Sequence, residues 1–336
     1  MDAPRGREAA ALGLVVLAAL LGLWLLVARP VAVAPAPVQP RTFASPEEAA
    51  LWALVVERTG EAEQPRPFGG VGLPFPGEAD GGPRLAMGRE VWRTQCMHCH
   101  GFDGRADTPT ADLLEPRPRD FSLGIVKYTS TEAGAPATRD DLVRTVRNGL
   151  DTTAMSAFRG LPEASLRTVV DYTAWLLVRG DLWTRARAAL AEGLTPEAAL
   201  DRAWEATLED WRTAPDRVVA VPPAPRDAAA LLEEGRRLWT DPRAGCADCH
   251  GADGRGRGPL VWDAVAERWL LRDAWGREAR PRDLTTGNLH GGRTTPDLYR
   301  RIHAGVKGTP MTGRGELLEP REIHALVAWV RHLAER

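Results

Sequence analysis

The chain has 336 residues, 44% hydrophobic and 26% charged, which is room for two domains and excludes wholesale disorder, collagen-like repeats and coiled-coil character. With 33 Gly and 27 Pro, long stretches must be loop. A net charge of −2, with Lys127 and Lys307 the only lysines, gives no footprint for nucleic acid.

At the N-terminus Arg5 and Arg7 precede an uncharged run from Ala9 to Ala28. Such a run, if helical, spans about 30 Å, the thickness of a bilayer core. It predicts an uncleaved membrane anchor over 1–29, with the arginines in the cytoplasm and the remainder of the chain across the membrane. The alternative is a cleaved secretory signal ending at Ala32-Val33-Ala34. Pro35 is a poor context for that cleavage, and the apolar run exceeds the usual signal length of about 7–15 residues. Residues 30–83 read as a linker with one short helix. Ser45-Pro46-Glu47-Glu48 is a capped helix start, and Ala50, Leu51, Leu54 and Val55 form its apolar stripe. Gly and Pro dominate from Pro65 to Pro83, which predicts a loop.

The four cysteines fall in two pairs, each followed at once by histidine: Cys96-Met97-His98-Cys99-His100 and Cys246-Ala247-Asp248-Cys249-His250. This is the attachment sequence of c-type haem. Residues three apart share one face of a helical turn, so two thiols there reach the two vinyl groups of one porphyrin. The adjacent histidine then presents its imidazole to the iron. A zinc ribbon separates its pairs by about 15–20 residues, whereas nearly half of this chain intervenes. A thioredoxin-like motif sits beside a βαβ pattern, and none is found.

Around these motifs a unit occurs twice. Gly88 and Trp92 precede the first motif, and Gly235 and Trp239 precede the second. His100-Gly101-Phe102-Asp103-Gly104-Arg105 matches His250-Gly251-Ala252-Asp253-Gly254-Arg255. Arg117-Pro118-Arg119-Asp120 matches Arg280-Pro281-Arg282-Asp283, and Asp141-Leu142, Gly149 and Met155 match Asp297-Leu298, Gly305 and Met311. The offset drifts from 147 to 150, 163 and 156 along the unit, as loop insertions make it drift. This duplication sets the expected domains: one over 84–179, a helical interdomain linker over 180–227, and a second over 228–336. Each unit closes in an amphipathic helix, carried by Leu166, Val169, Val170, Thr173 and Leu176 and by Ile323, Leu326, Val327, Val330 and Leu333. Thr195-Pro196-Glu197 starts a linker helix with Leu200, Trp204, Leu208 and Trp211 on one face. No segment alternates as a strand does, so the fold class is all-α.

Over roughly 84–179 and 230–336 the chain resembles class I cytochrome c, twice over. The resemblance implies that the first and last helices of each unit cross where Gly88 and Gly235 let the backbones approach. Trp92 with Tyr172, and Trp239 with Trp329, would pack at the crossings. It also places the axial methionine in the loop before the last helix, where Met155 and Met311 stand, one per unit. His100 and His250 are then the proximal ligands and Cys96, Cys99, Cys246 and Cys249 the covalent attachments of two haems c. Of the competing ligands, His290 and His303 have no counterpart in the first unit, and His324 and His332 are expected on the surface of the last helix. By similarity to small cytochromes, the carbonyls of Pro109 and Pro259, nine residues past each histidine, would accept its second N–H. Arg119 and Arg282 suit the haem propionates, or alternatively pair with Asp120 and Asp283.

The function expected is electron transfer, not enzyme catalysis. The protein would be a membrane-tethered dihaem cytochrome on the periplasmic side of the cytoplasmic membrane, with a respiratory donor such as a quinol-oxidising complex and an oxidase or reductase as acceptor. The alternatives are a dihaem cytochrome c peroxidase, which one methionine per unit argues against, and a fixed subunit of a larger oxidase or reductase.

Overall fold

In the computed structural model, which describes residues 40–68 and 81–335, the first helix begins where its capping signal stands. The Ser45 hydroxyl accepts the Glu48 N–H at 3.2 Å, and Pro46 opens α1 (Pro46–Thr59). Leu51 and Val55 of the expected stripe are fully buried. The predicted anchor over 1–29 lies outside the described residues, and among those described no helix is long and apolar enough to cross a membrane.

The first unit contains α2 (Gly81–Gln95), the short α3 (Met97–His100) and α4 (Pro109–Asp112), then α5 (Arg139–Asn148), α6 (Glu163–Ala191) and α7 (Pro196–Thr213). The second contains α8 (Ala228–Trp239), α9 (Cys246–His250), α10 (Thr295–Ala304) and α11 (Pro320–Ala334). Between α9 and α10 stands a small antiparallel hairpin of β1 (Trp262–Asp263) and β2 (Arg268–Trp269), in register Trp262 to Trp269. It is the one ladder among the described residues, and the architecture is helical throughout.

Two glycines set the geometry, one in each unit. A Cβ on Gly88 would stand 2.0 Å from the Thr168 carbonyl oxygen, and one on Gly235 would stand 2.0 Å from that of Ala325. At these points α2 lies directly on α6 and α8 on α11, closer than any other residue allows. Trp92 packs on Tyr172 with ring centroids 5.6 Å apart, and the Trp329 side chain lies against Gly235. Both tryptophans of the first helices donate to the carbonyl just past the haem motif: Trp92 to Gly101 at 3.1 Å, Trp239 to Gly251 at 2.9 Å.

The expected boundary after Arg179 is absent. Helix α6 runs unbroken from Glu163 to Ala191, and Arg179 and Gly180 are buried within it. Gly180 within it admits a loop: a Cβ on it would be 2.1 Å from the Phe121 carbonyl oxygen. The Arg179 guanidinium is accommodated over the Trp175 ring at 4.3 Å. In consequence α1 and α7 are not appendages. Leu51, Val55, Trp183, Ala186, Leu200 and Trp211 share one core with the first unit, while the second unit has its own, built on Leu231, Trp239, Leu298, Leu326 and Val330.

Candidate functional site

The helical turns α3 and α9 hold the two Cys-x-x-Cys-His motifs, and each ends on a glycine at positive φ, Gly101 at 79° and Gly251 at 77°. The turns open onto one continuous cleft of about 760 Å³. Its wall includes Cys96, Cys99, His100, Cys246, Cys249 and His250, together with Met155 and Met311. The structure thus brings all eight residues expected at the haems to one cavity. Most of the remaining wall is apolar, with Val126, Leu142, Val146, Leu289 and Leu298 among it.

The methionine loops are copies of each other, bond for bond. The Leu150 N–H donates to the Met155 carbonyl at 3.0 Å, and that of Val306 to the Met311 carbonyl at 2.9 Å. The Thr153 and Thr309 hydroxyls accept the methionine N–H groups at 3.1 and 3.2 Å, and donate back to Leu150 and Val306 at 2.8 and 2.7 Å. Gly149 and Gly305 turn the chain, since a Cβ on either would meet the methionine carbonyl oxygen at 2.5 or 2.4 Å. Ahead of each loop, α5 and α10 begin with the same capping box, Thr138 with Asp141 and Thr294 with Asp297. Both methionines are half-buried on the cleft wall.

The expected role of Pro109 and Pro259 is corrected. The His100 Nδ1 lies 3.0 Å from the Arg119 carbonyl oxygen, and the His250 Nδ1 lies 3.4 Å from that of Arg282. Pro109 instead opens α4, whose cap Thr108 donates its hydroxyl to the His98 carbonyl at 2.9 Å. Pro259 sits in a turn held by the Leu260 N–H on Asp248. Nine residues past each histidine the chain is still occupied in closing its local turn; the Pro-Arg-Asp loop comes back to the imidazole later. The duplicated Pro-Arg-Asp was visible in the sequence, but its backbone role was not. Directly after it, Phe121 lies parallel to the His100 ring at 5.2 Å. The Phe121 and Leu284 N–H groups donate to Gly104 and Gly254, each at 2.8 Å.

Arg119 and Arg282 do line the cleft. Neither is bonded to the neighbouring aspartate: Asp120 accepts the Ser122 N–H and Asp283 the Thr285 N–H. The Arg119 guanidinium lies 3.8 Å from the Trp275 ring, and burial brings its pKa down to about 10. Arg282 donates to the Nδ1 of His290 at 2.8 Å.

Electrostatics match this arrangement to haem. Burial pushes the Cys96 thiol up to about 12 and the Cys246 thiol up to about 11. They are uncharged sulfurs in an apolar wall, an environment compatible with thioether bonds to a porphyrin. Among the described residues no group of three or more His, Cys, Asp or Glu is placed to hold a metal ion. Burial also lowers the pKa of His100 and His250. Each is a neutral imidazole whose Nδ1–H is taken by a carbonyl, which leaves Nε2 free to meet a metal.

The other histidines have different work. His303 bonds Glu132 of the first unit at 3.0 Å, and His290 bonds the Thr152 hydroxyl there at 2.6 Å. His324 is buried, contrary to its expected surface position, because its Nε2 donates to the Pro222 carbonyl at 2.9 Å and its ring packs on Tyr299. His332 lies against Trp329.

A helical unit with a haem-attachment turn, a methionine loop and a glycine-mediated helix crossing defines the class I c-type cytochrome domain, and here it stands twice. The family models agree. Residues 83–172 match that of cytochrome c oxidase, cbb3-type, subunit III, and residues 232–334 match that of cytochrome c. No curated protein matches the chain. Among solved structures, it is similar to a chain of the Kuenenia stuttgartiensis reducing HAO-like protein complex, at 25% identity and a TM-score of 0.55 over 74% of this chain and 95% of that one. The chain is a tandem class I cytochrome c. Haem-based electron transfer is therefore its chemistry.

Proposed function

We propose that this protein is a membrane-tethered dihaem cytochrome c that passes single electrons in a respiratory chain, with its haem domains on the periplasmic side of the cytoplasmic membrane. Cys96 with Cys99 and Cys246 with Cys249 hold the two haems covalently. His100 and Met155 would ligate the iron of the first unit, and His250 and Met311 that of the second. Bound haem supplies one-electron redox chemistry, while the chain sets potential, exposure and docking. Arg119 and Arg282 meet the haem carboxylates from the cleft wall. The donor is a quinol-oxidising complex or its equivalent, and the acceptor a terminal oxidase or reductase.

The observation that carries this reading is the bond-for-bond identity of the two methionine loops. With both methionines as ligands neither iron would keep an open position, which suits a carrier rather than a peroxidase. Mass spectrometry of the matured protein tests it. Two covalent haems are expected, falling to one in Cys96→Ala/Cys99→Ala; free thiols on either motif would end the reading.

A second reading is a fixed subunit of a larger redox complex. It is supported by the family model matched at 83–172, that of an oxidase subunit, and by the similar solved chain, which belongs to a complex. Gentle detergent extraction separates the two: a free carrier migrates alone, and a subunit brings stoichiometric partners.

A further inference from the structure

Between the haem motif and Pro-Arg-Asp the repeat offset rises from 150 to 163, so the second unit carries extra residues there. They form the β1–β2 hairpin and then a turn, closed by the Asp273 N–H on Arg277 at 2.7 Å and the Gly276 N–H on Asp273 at 2.9 Å. Trp275 is at the tip of this turn, and it reaches the first unit. Its indole N–H donates to the Asp120 carbonyl at 3.0 Å, and the Arg119 guanidinium covers the ring at 3.8 Å. The six-membered ring presses on Gly308, where a Cβ would come within 2.6 Å. The Gly308 carbonyl accepts the Ala274 N–H at 2.9 Å, and Asp273 accepts the Trp275 N–H at 3.0 Å while pairing with Lys127 at 3.2 Å.

These contacts join the two haem sites. His100 hydrogen-bonds the Arg119 carbonyl, and Arg119 shares a peptide group with Asp120, whose carbonyl holds the Trp275 indole. The indole lies on Gly308, inside the loop that the Val306–Met311 hydrogen bond closes. From the proximal histidine of one unit to the methionine loop of the other, the route is continuous packed or hydrogen-bonded matter.

We propose that Trp275 is the electron bridge between the two haem sites. One electron leaves the reduced iron of one unit and arrives at the oxidised iron of the other, with no proton moved and no co-reactant consumed. The inference rests on both units carrying haem.

The test uses the haem-loaded full chain and two variants. Trp275→Phe keeps a ring between Arg119 and Gly308 but loses the indole N–H; Trp275→Ala loses both. Rapid-scan absorbance after a substoichiometric pulse of reductant reads how fast the electron redistributes between the haems. Equilibrium redox titration reads each potential, and small-angle X-ray scattering reads whether the units stay docked. With both potentials unchanged, redistribution is expected to slow about tenfold or more in Trp275→Ala, equivalent to about 1.4 kcal/mol of barrier, and by less in Trp275→Phe. An unchanged rate in Trp275→Ala with wild-type scattering overturns the proposal. If Trp275→Ala undocks the units, Trp275→Phe decides: slower exchange in docked protein supports the bridge, and a wild-type rate overturns it. A mass showing fewer than two haems would instead sink the dihaem reading beneath it.

Discussion

Met155 and Met311 stand in loops whose backbones are pinned by the same hydrogen bonds, so truncating either side chain removes the proposed ligand without dismantling its loop. Ferric His/Met haem shows a weak far-red sulfur-to-iron band. Met155→Ala and Met311→Ala are each expected to abolish about half of it and to lower the potential of the haem in that unit, because ferrous iron loses a soft thioether. A spectrum unchanged in either variant would remove that methionine from the iron. His290 makes a different residue-scale prediction. Burial, then the facing Arg282, Arg301 and Lys127, push its pKa down from 6.5 to about 4, with Asp151 acting the other way. The folded state thus refuses a proton that the unfolded chain accepts. Stability from this site is complete above pH 6.5 and falls as the pH drops toward 4. Denaturant midpoints measured across that window should decline less steeply in His290→Asn, which keeps no titrating group; equal slopes would contradict the assignment.

At the scale of elements, the helix crossings are the feature with least tolerance. Gly88 and Gly235 each face a carbonyl oxygen that a methyl group would overlap. Gly88→Ala or Gly235→Ala must push apart the crossing helices, and with them the tryptophan donors to Gly101 and Gly251. The expected cost is about 3 kcal/mol, read by chemical denaturation of the haem-loaded protein. A loss below about 0.5 kcal/mol, the range of ordinary surface changes, would mean that the helices slide at no cost. These crossings were expected from the resemblance to class I cytochrome c, whose glycine and tryptophan stand at the same spacing in both copies. The continuity of α6 was not, because the Phe121 loop that packs on Gly180 comes from a distant part of the chain.

At the scale of the whole molecule, the haem units, with the helices α1 and α7 that complete the first core, should function without the expected anchor over 1–29. A chain beginning near Arg41 behind a cleavable signal is expected to mature as a soluble protein with two haems, whereas the full chain stays in salt-washed membranes. Fractionation with haem staining checks both, and a native mature N-terminus near Pro35 in the soluble fraction would favour a cleaved signal over an anchor.

What the sequence by itself determined is what local chemistry and duplication encode. The haem motifs are contiguous, so their attachment chemistry needs no third dimension to be read. The capped starts at Ser45 and Thr195 are contiguous too, and the structure places them where they were expected. The methionine loops became visible because one copy could be laid on the other. What only the tertiary structure decided is everything that depends on chain segments returning from afar. Arg119 and Arg282 replace Pro109 and Pro259 beneath the proximal histidines, since a backbone carbonyl leaves no mark on residue identity. His324 is buried because the linker crosses it at Pro222, and His290, His303 and Trp275 face the first unit. Contacts between the units follow from how two similar surfaces meet, and no spacing within either copy records that meeting.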